Sequence, residues 1–273
     1  MTSFSALELA TSIDPGSPAS VRAGHLERVA AEVARSAAAL VRRQGGQAVT
    51  AATKSTPTDV VTHTDQESER FIRAALLERA PGSTIVGEEF DDDHGANNVG
   101  WIVDPIDGTV NFLYDLPVVS VSVAATVDGQ VVAGAVADIH RDEVYSAAAG
   151  AGARLDGRPI SSSTTTDLGH ALVGTGFAYD ADLRAEQSTV LNRLLPAARD
   201  IRCMGSAALN LCWVGTGRLD AFYERDLKVY DYAAGALVAH EGGAVVELPA
   251  RQDAATIATT PGIEGALRQV LAG

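Results

Sequence analysis

Trp101-Ile102-Val103-Asp104-Pro105-Ile106-Asp107-Gly108-Thr109 sets two carboxylates three residues apart at the end of an apolar run, followed by a Gly-Thr turn. Asp104 and Asp107 cannot share a core without a partner. Like charges about 4 Å apart repel by roughly 4 kcal/mol at an effective dielectric of about 20. A divalent cation removes that repulsion, and hard cations take oxygen ligands. The Gly-Thr pair adds backbone N–H groups and a hydroxyl, which suit a phosphate. The stretch reads as a place where metal and phosphate meet.

The chain around it has 273 residues, enough for one large domain or two closely joined ones. With 46% hydrophobic and 21% charged residues it has the composition of a globular protein with a sizeable core. The formal net charge of −14 argues against a nucleic-acid or anionic-membrane surface, which favour basic patches. Two cysteines, Cys203 and Cys212, lie in a stretch that reads as core; they imply no disulfide framework and fit a reducing cytoplasm. The first twenty residues show no positively charged segment leading into an apolar one, so no signal peptide is expected. No run of about 18 apolar residues offers a membrane span.

Residues 1–20, rich in Ser, Thr, Pro and Ala, read as a loosely held arm. Residues 21–273 read as one unit whose pattern changes near residue 160. Leu26, Val29, Ala30, Val33, Ala37, Leu40 and Val41 recur at helical spacing over residues 21–43, and Gly45-Gly46 ends that helix. Thr64-x-x-Glu67 has a capping-box pattern and opens a second helix through Arg79, with Asp65 in its first turn. A short strand at residues 84–87 delivers Glu88, and Asp91-Asp92-Asp93-His94-Gly95 looks like a solvated loop. Residues 100–149 alternate as strands: Val119, Val121, Val123 and Ala125 on one face, Ser120, Ser122 and Ala124 on the other, with Asp128-Gly129 as a hairpin turn. Beyond residue 160, strands alternate with helices near 181–198, 205–214, 231–240 and 262–271. Trp101 and Trp213 read as core. No nucleotide-binding glycine fingerprint, P-loop, zincin helix or nucleophile elbow is present; Gly150-Ala151-Gly152 lacks a final glycine, since Leu155 stands there.

Three acidic sites converge: Glu88-Glu89 at a strand end, Asp104 with Asp107, and Asp231 at a helix start. Taken singly, each has a plain structural explanation as a solvated loop, a turn or a helix cap. Together they could hold two cations about 4 Å apart that activate a water and stabilise a leaving oxygen.

The stretch Trp101 to Phe112 closely resembles the signature of the inositol monophosphatase family. Further elements match in order over residues 50–245: Lys54-Ser55-x-Pro57-x-Asp59-x-Val61-Thr62-x-Thr64-Asp65; Gly87-Glu88-Glu89; Gly205-Ser206-Ala207-Ala208-Leu209-Asn210; Gly217-Arg218-Leu219-Asp220-Ala221-Phe222-Tyr223-Glu224; and Asp231-Tyr232-Ala233-Ala234-Gly235. Tyr230 stands where the family often has Trp.

The resemblance implies an α+β fold, the layered α/β/α/β/α sandwich of the inositol monophosphatase and fructose-1,6-bisphosphatase type. It implies that residues 21–273 form a single catalytic unit, with a metal and phosphate half to about residue 160 and an alcohol-binding half beyond it. It implies metal ligands Glu88, Asp104, the Ile106 carbonyl, Asp107 and Asp231, with two or three Mg²⁺ per site. Thr109 would bond the attacking water, with Asp65 taking or polarising its proton. The N–H groups of Gly108 and Thr109 would hold the phosphate, and Ser206, Ala207, Glu224 and Asp231 would face the substrate. Lys54 and Glu89 would support the site, Lys54 from a mobile loop. The implied activity is hydrolysis of inositol monophosphate, a phosphoric monoester hydrolase reaction, in a lithium-sensitive cytoplasmic homodimer. Its partner is a small phosphate monoester, with no membrane and no nucleic acid. Sister activities on histidinol phosphate, fructose 1,6-bisphosphate or 3′-phosphoadenosine 5′-phosphate are the alternatives, and a transcription-associated regulator is a rival of another class.

Overall fold

The computed structural model describes residues 7–10, 13–14, 16–44, 50–53, 60–251 and 253–273. Two mixed sheets alternate with three helical layers. The outer layer holds α1 (Pro18–Gln44) and α2 (His63–Arg79), preceded by β1 (Glu8–Leu9), with the antiparallel pair β2 (Thr50–Thr53) and β3 (Val60–Thr62) between them in sequence. The larger sheet contains β4 (Thr84–Gly87), β5 (Val99–Asp107), β6 (Ser120–Val127), β7 (Gln130–Asp138), β8 (Glu143–Ala148), β9 (Ala153–Leu155) and β10 (Arg158–Pro159), with a short helix α3 (Thr109–Leu113) after β5. Its strands lie in the order β10-β9-β8-β7-β6-β5-β4. The second half adds β11 (Leu172–Thr175), α4 (Ala181–Leu194), β12 (Asp200–Cys203), α5 (Ala207–Gly215), β13 (Ala221–Arg225), α6 (Val229–Glu241), β14 (Val245–Glu247), β15 (Ala255–Thr259) and α7 (Glu264–Ala272). Its sheet runs β12-β11-β13-β15-β14.

The expected α+β sandwich is the fold observed. α1 buries Ala23, Leu26, Val29, Ala30, Val33, Ala34, Ala37, Ala38 and Val41 against the larger sheet, a wide apolar stripe of small and branched side chains. α5 and α6 are buried along almost their whole length because they lie between the two sheets. That is why Asp231 to His240 reads as nearly continuously apolar. A smaller core joins Leu168, Val173, Leu194, Ala221, Ile263 and Leu267 beneath α4 and α7.

Several boundaries move. Part of the expected loose arm is anchored: β1 pairs in parallel with the start of β7, where β8 no longer reaches, and Ala10 N–H donates to the Val131 carbonyl at 3.0 Å. The cap of α2 falls two residues early, with Thr62 as N-cap and Asp65 as the reciprocating residue, because the β3 backbone is still extended at Thr62. Asp91 to His94 is not a simple solvated loop, since Asp93 exchanges two 2.9 Å backbone hydrogen bonds with Ile85 of β4. Cys203 is exposed on an edge strand rather than in the core, whereas Cys212 is buried. Trp101 and Trp213 are both buried. Asp128-Gly129 is the hairpin turn, with φ of 52° and 83°. Both residues are left-handed, as the two-residue turn matching strand twist requires.

β6 shows the limit of alternation. Its serine face is as buried as its valine face, because α6 covers it. Polar residues on that face therefore need partners: Ser120 bonds Asp107, and Ser122 bonds the Tyr230 carbonyl at 3.4 Å.

Candidate active site

A bulge in β5 builds the centre of the site. Side chains three apart on a regular strand point to opposite faces. Against β6, however, Asp104 pairs with Ser122 and Asp107 with Ser120, so three steps on one strand answer two on the other. The extra residue at Pro105-Ile106 re-aims the strand end and brings both carboxylates to one side. Ile106 N–H closes the bulge onto Asp104 Oδ1 at 3.1 Å, and its side chain is buried in the core. β4 runs parallel to β5 with Gly87 opposite Val103, which puts Glu88 beside Asp104.

Three acidic residues meet helix N-termini, where unpaired N–H groups favour negative charge. Asp107 accepts from Ala207 N–H at 3.1 Å and Ala208 N–H at 3.0 Å, the first amides of α5, and from the hydroxyls of Ser120 at 3.0 Å and Ser206. Asp231 lies in the first turn of α6 and accepts Lys228 N–H at 2.6 Å. Asp65 lies in the first turn of α2 and accepts Thr62 N–H at 2.8 Å.

Burial first, then the charges of Glu88, Asp107 and Asp231, hold the Asp104 carboxyl well above the usual carboxylate range; Glu88 is also its hydrogen-bond partner. Burial and Glu88 likewise push Asp231 well up against the opposing Lys228 N–H. Burial raises Asp107 too, although its serine and α5 amide donors pull it down. Among the described residues no three acidic, histidine or cysteine side chains stand in a ready-made metal cage. The donor chemistry nevertheless fits a hard divalent cation: oxygen ligands only, with Asp104, Asp107 and Asp231 each raised by burial first, gathered around the ends of β4 and β5.

Thr109 sits beside this cluster. Its hydroxyl lies 3.2 Å from Asp65 Oδ1 and 3.0 Å from the Ile106 carbonyl. One proton cannot serve both acceptors, so engaging the Ile106 carbonyl elsewhere commits the proton to Asp65. The Thr109 oxygen then keeps lone pairs for a water. Gly108 precedes it at φ 98°, and a Cβ there would come within 2.9 Å of the Val118 carbonyl and 3.0 Å of the Gly205 carbonyl. Only glycine fits this turn.

On the other wall, Glu224 is the penultimate residue of β13. Burial, then the charges of Asp231 and Asp107, hold its carboxyl well above the usual range. Its carboxyl oxygens lie against Gly176, where a Cβ would come within 2.2 Å of each.

Ser206 and Ala207, expected to face the substrate, both lie against Asp107. Ser206 is buried as the N-cap of α5 with its hydroxyl on Asp107, and the Ala207 amide binds the same carboxylate. The pattern Gly205-Ser206 marks the helix start but not its neighbour in space. Glu89 gives its backbone N–H to Glu69 Oε2 at 2.7 Å. Lys54 lies outside the described residues. Missed at the sequence level were Ser120, Thr62 and Gly176. The first two carried usable signals, a serine alternating on a core strand and a threonine three before an aspartate. Gly176 carried none.

The sequence matches the inositol monophosphatase family over residues 24–272. The chain belongs to the inositol monophosphatase family. Among its relatives, the inositol-1-monophosphatase of Mycobacterium leprae is 46% identical, over 90% of this chain and 93% of that protein. The Nus factor SuhB of Escherichia coli K12 is 36% identical over 80% of this chain and 83% of its own. The solved structure of Mycobacterium tuberculosis SuhB superposes with a TM-score of 0.80 at 43% identity, covering 91% of this chain and 96% of that one. An inositol-monophosphatase-type phosphatase acting on a phosphate monoester is therefore the activity class. Among the described residues no helix is long and apolar enough to cross a membrane.

Proposed function

We propose that this chain is a Mg²⁺-dependent inositol-phosphate phosphatase that releases inositol and phosphate by direct attack of water. The observation that carries it is the Thr109–Asp65 pair set beside the acidic end of β5. Glu88, Asp104, the Ile106 carbonyl, Asp107 and Asp231 would hold two or three Mg²⁺. Bound there, the cations would lower the pKa of a water and neutralise phosphate charge. Thr109 accepts a hydrogen bond from the attacking water while donating to Asp65, which orients the water and disperses its developing charge. The amides of Gly108 and Thr109 bind the phosphate; α3 is a single short turn, so direct N–H contacts supply this more than a helix dipole does. The water oxygen bonds phosphorus, the bond from phosphorus to the alcohol oxygen breaks, and that oxygen leaves as the hydroxyl by taking up the proton the attacking water gives up.

Glu224 supports the choice of a polyol. Among the described residues no donor is hydrogen-bonded to its carboxylate, so its acceptor capacity is left for alcohol hydroxyls. The test is phosphate release by the purified chain from inositol 1-phosphate, histidinol phosphate, fructose 1,6-bisphosphate and 3′-phosphoadenosine 5′-phosphate. The highest kcat/KM is expected for inositol 1-phosphate; a clearly higher value for another ester overturns the substrate. We further propose lithium sensitivity, a cytoplasmic setting and a homodimer. The unbridged Cys203 and Cys212 fit the compartment, and exposed Tyr114 and Leu116 offer apolar surface for a second copy. Light scattering at one chain's mass would overturn the dimer.

The Nus factor name of the Escherichia coli relative favours a second reading, a transcription-associated regulator. The −14 charge directs it toward a protein partner rather than RNA. Salt-resistant, nuclease-insensitive retention of polymerase subunits would support it.

A further inference from the structure

Of the acidic groups around the end of β5, Glu88 has the least regular secondary structure beneath it. Asp104 and Asp107 end a paired strand and Asp231 begins a helix, whereas Glu88 follows the four-residue edge strand β4 and enters a loop. That loop is fastened from behind by two side chains of α2. Glu69 is fully buried and Arg73 nearly so, and they form an ion pair at 2.8 Å. Glu69 Oε2 accepts Glu89 N–H at 2.7 Å, the amide next after Glu88. Arg73 donates to the Phe90 carbonyl at 3.2 Å and pairs with Asp93 at 2.8 Å. Its guanidinium also lies over the Phe90 ring, 5.9 Å from the centroid. On the near side, Gly87 makes room: a Cβ there would come within 2.1 Å of Glu69 Oε1 and 2.8 Å of Arg73 Nη2.

A buried ion pair is a weak source of stability, since apolar side chains of the same volume often do as well or better. What this pair supplies is direction. It fixes the backbone on both sides of Glu88, at Gly87 by contact and at Glu89 and Phe90 by hydrogen bonds. We propose that Glu69 and Arg73 are positioning residues that hold Glu88 at the angle needed to bind the cation. The inference rests on the metal site proposed above and adds two residues that touch neither substrate nor cation. The fork of Arg73 is the essential shape, because Lys can reach Glu69 but cannot at the same time span Phe90 and Asp93.

The test replaces the pair by apolar side chains, Glu69→Leu with Arg73→Met, in the full chain. Mg²⁺ affinity is read by calorimetry and by the Mg²⁺-induced rise in Tm. The melting temperature without Mg²⁺ should stay near that of the unaltered chain. The Mg²⁺ Kd should rise by about 10–100-fold, the usual scale for losing a group that orients a metal ligand, with kcat largely recovered at saturating Mg²⁺. Should the double variant fail to fold, Arg73→Lys carries the same readout with a smaller rise. Either folded variant binding Mg²⁺ as the unaltered chain does would overturn the proposal. The pair must also act through Glu88. In a Glu88→Gln background the strut substitutions should add little to the loss of Mg²⁺ affinity, and a full additional loss would reduce the pair to general scaffolding. If Glu88→Gln alone leaves Mg²⁺ binding unchanged, the metal site itself is misassigned, a failure distinct from that of the strut.

Discussion

Asp107 ends β5, Glu224 stands one residue before the end of β13 within reach of its charge, and they are held in opposite ways. Asp107 accepts two serine hydroxyls and two helix amides, three of the four bonds on Oδ2, so the carboxylate is fixed in place while Oδ1 keeps a lone pair for a ligand. Glu224 accepts no hydrogen bond among the described residues and is held by shape, its carboxyl pressed on the bare Cα of Gly176. Nearby, the buried amide of Asn210 also lacks a partner among the described residues. The difference fits the two roles proposed for them. A group that meets a cation at fixed geometry gains from preorganised donors. A group that must recognise hydroxyls has to keep its lone pairs available.

The largest expected effect comes from breaking the acidic wall. Asp104→Asn should fold, yet its Mg²⁺-dependent kcat should fall by at least about 10²–10³-fold, the scale of losing a preorganised transition-state contact. Near-normal turnover in the purified variant would remove Asp104 from the metal site. Next comes the alcohol wall. Glu224→Gln should lower kcat/KM for inositol 1-phosphate by about 10–100-fold, matching the roughly 1.5–3 kcal/mol of a hydrogen bond to a charged group. A simple aryl phosphate should be affected far less. Gly176→Ala should reproduce that selectivity change without touching substrate, because the new methyl displaces Glu224; equal losses on both esters would contradict the contrast between the walls.

A smaller effect concerns pH without metal. Asp104, Asp231 and Glu224 are all held above their ordinary values in the folded chain. Between the ordinary and the raised values the folded chain binds more protons than the unfolded one, so this contribution to stability is full below about pH 4 and is lost as pH rises through the raised values. In EDTA, urea midpoints of Asp104→Asn and the unaltered chain should therefore diverge in favour of the variant as pH increases. Saturating Mg²⁺ should reverse the order. A difference independent of pH would show that the acidic wall carries no such strain. Smallest of all is a surface control away from both walls. Arg268 pairs with Glu247 and Glu264 in the open, and Arg268→Ala should shift stability by no more than about 0.5 kcal/mol in thermal unfolding.

Much of this was legible in the chain. Helical spacing located α1 within a few residues, Asp128-Gly129 fixed the hairpin, and the Asp-Pro-Ile-Asp-Gly-Thr stretch pointed to the family. What misled was local pattern standing for tertiary neighbourhood. Thr64-x-x-Glu67 looks as good a cap as Thr62 with Asp65, and only the extended backbone at Thr62 separates them. Ser206 sits within a family motif, but its hydroxyl serves Asp107, 99 residues away in sequence. Asp93 looks solvated until Arg73 is seen beneath it.

The sequence by itself determined which groups are available: oxygen donors in number, a hydroxyl next to them, glycine where a side chain would collide, and strands long enough to bury them. These are properties of residue type and of spacing along one element. The tertiary structure alone decided where those groups point. The bulge at Pro105-Ile106 turns two opposed carboxylates to one face, the parallel register of β4 and β5 sets Glu88 beside them, and the N-terminus of α5, a hundred residues on, receives Asp107. Hydrogen bonds and repulsion depend on distances of a few ångströms between residues far apart in the chain, and packing alone sets those distances.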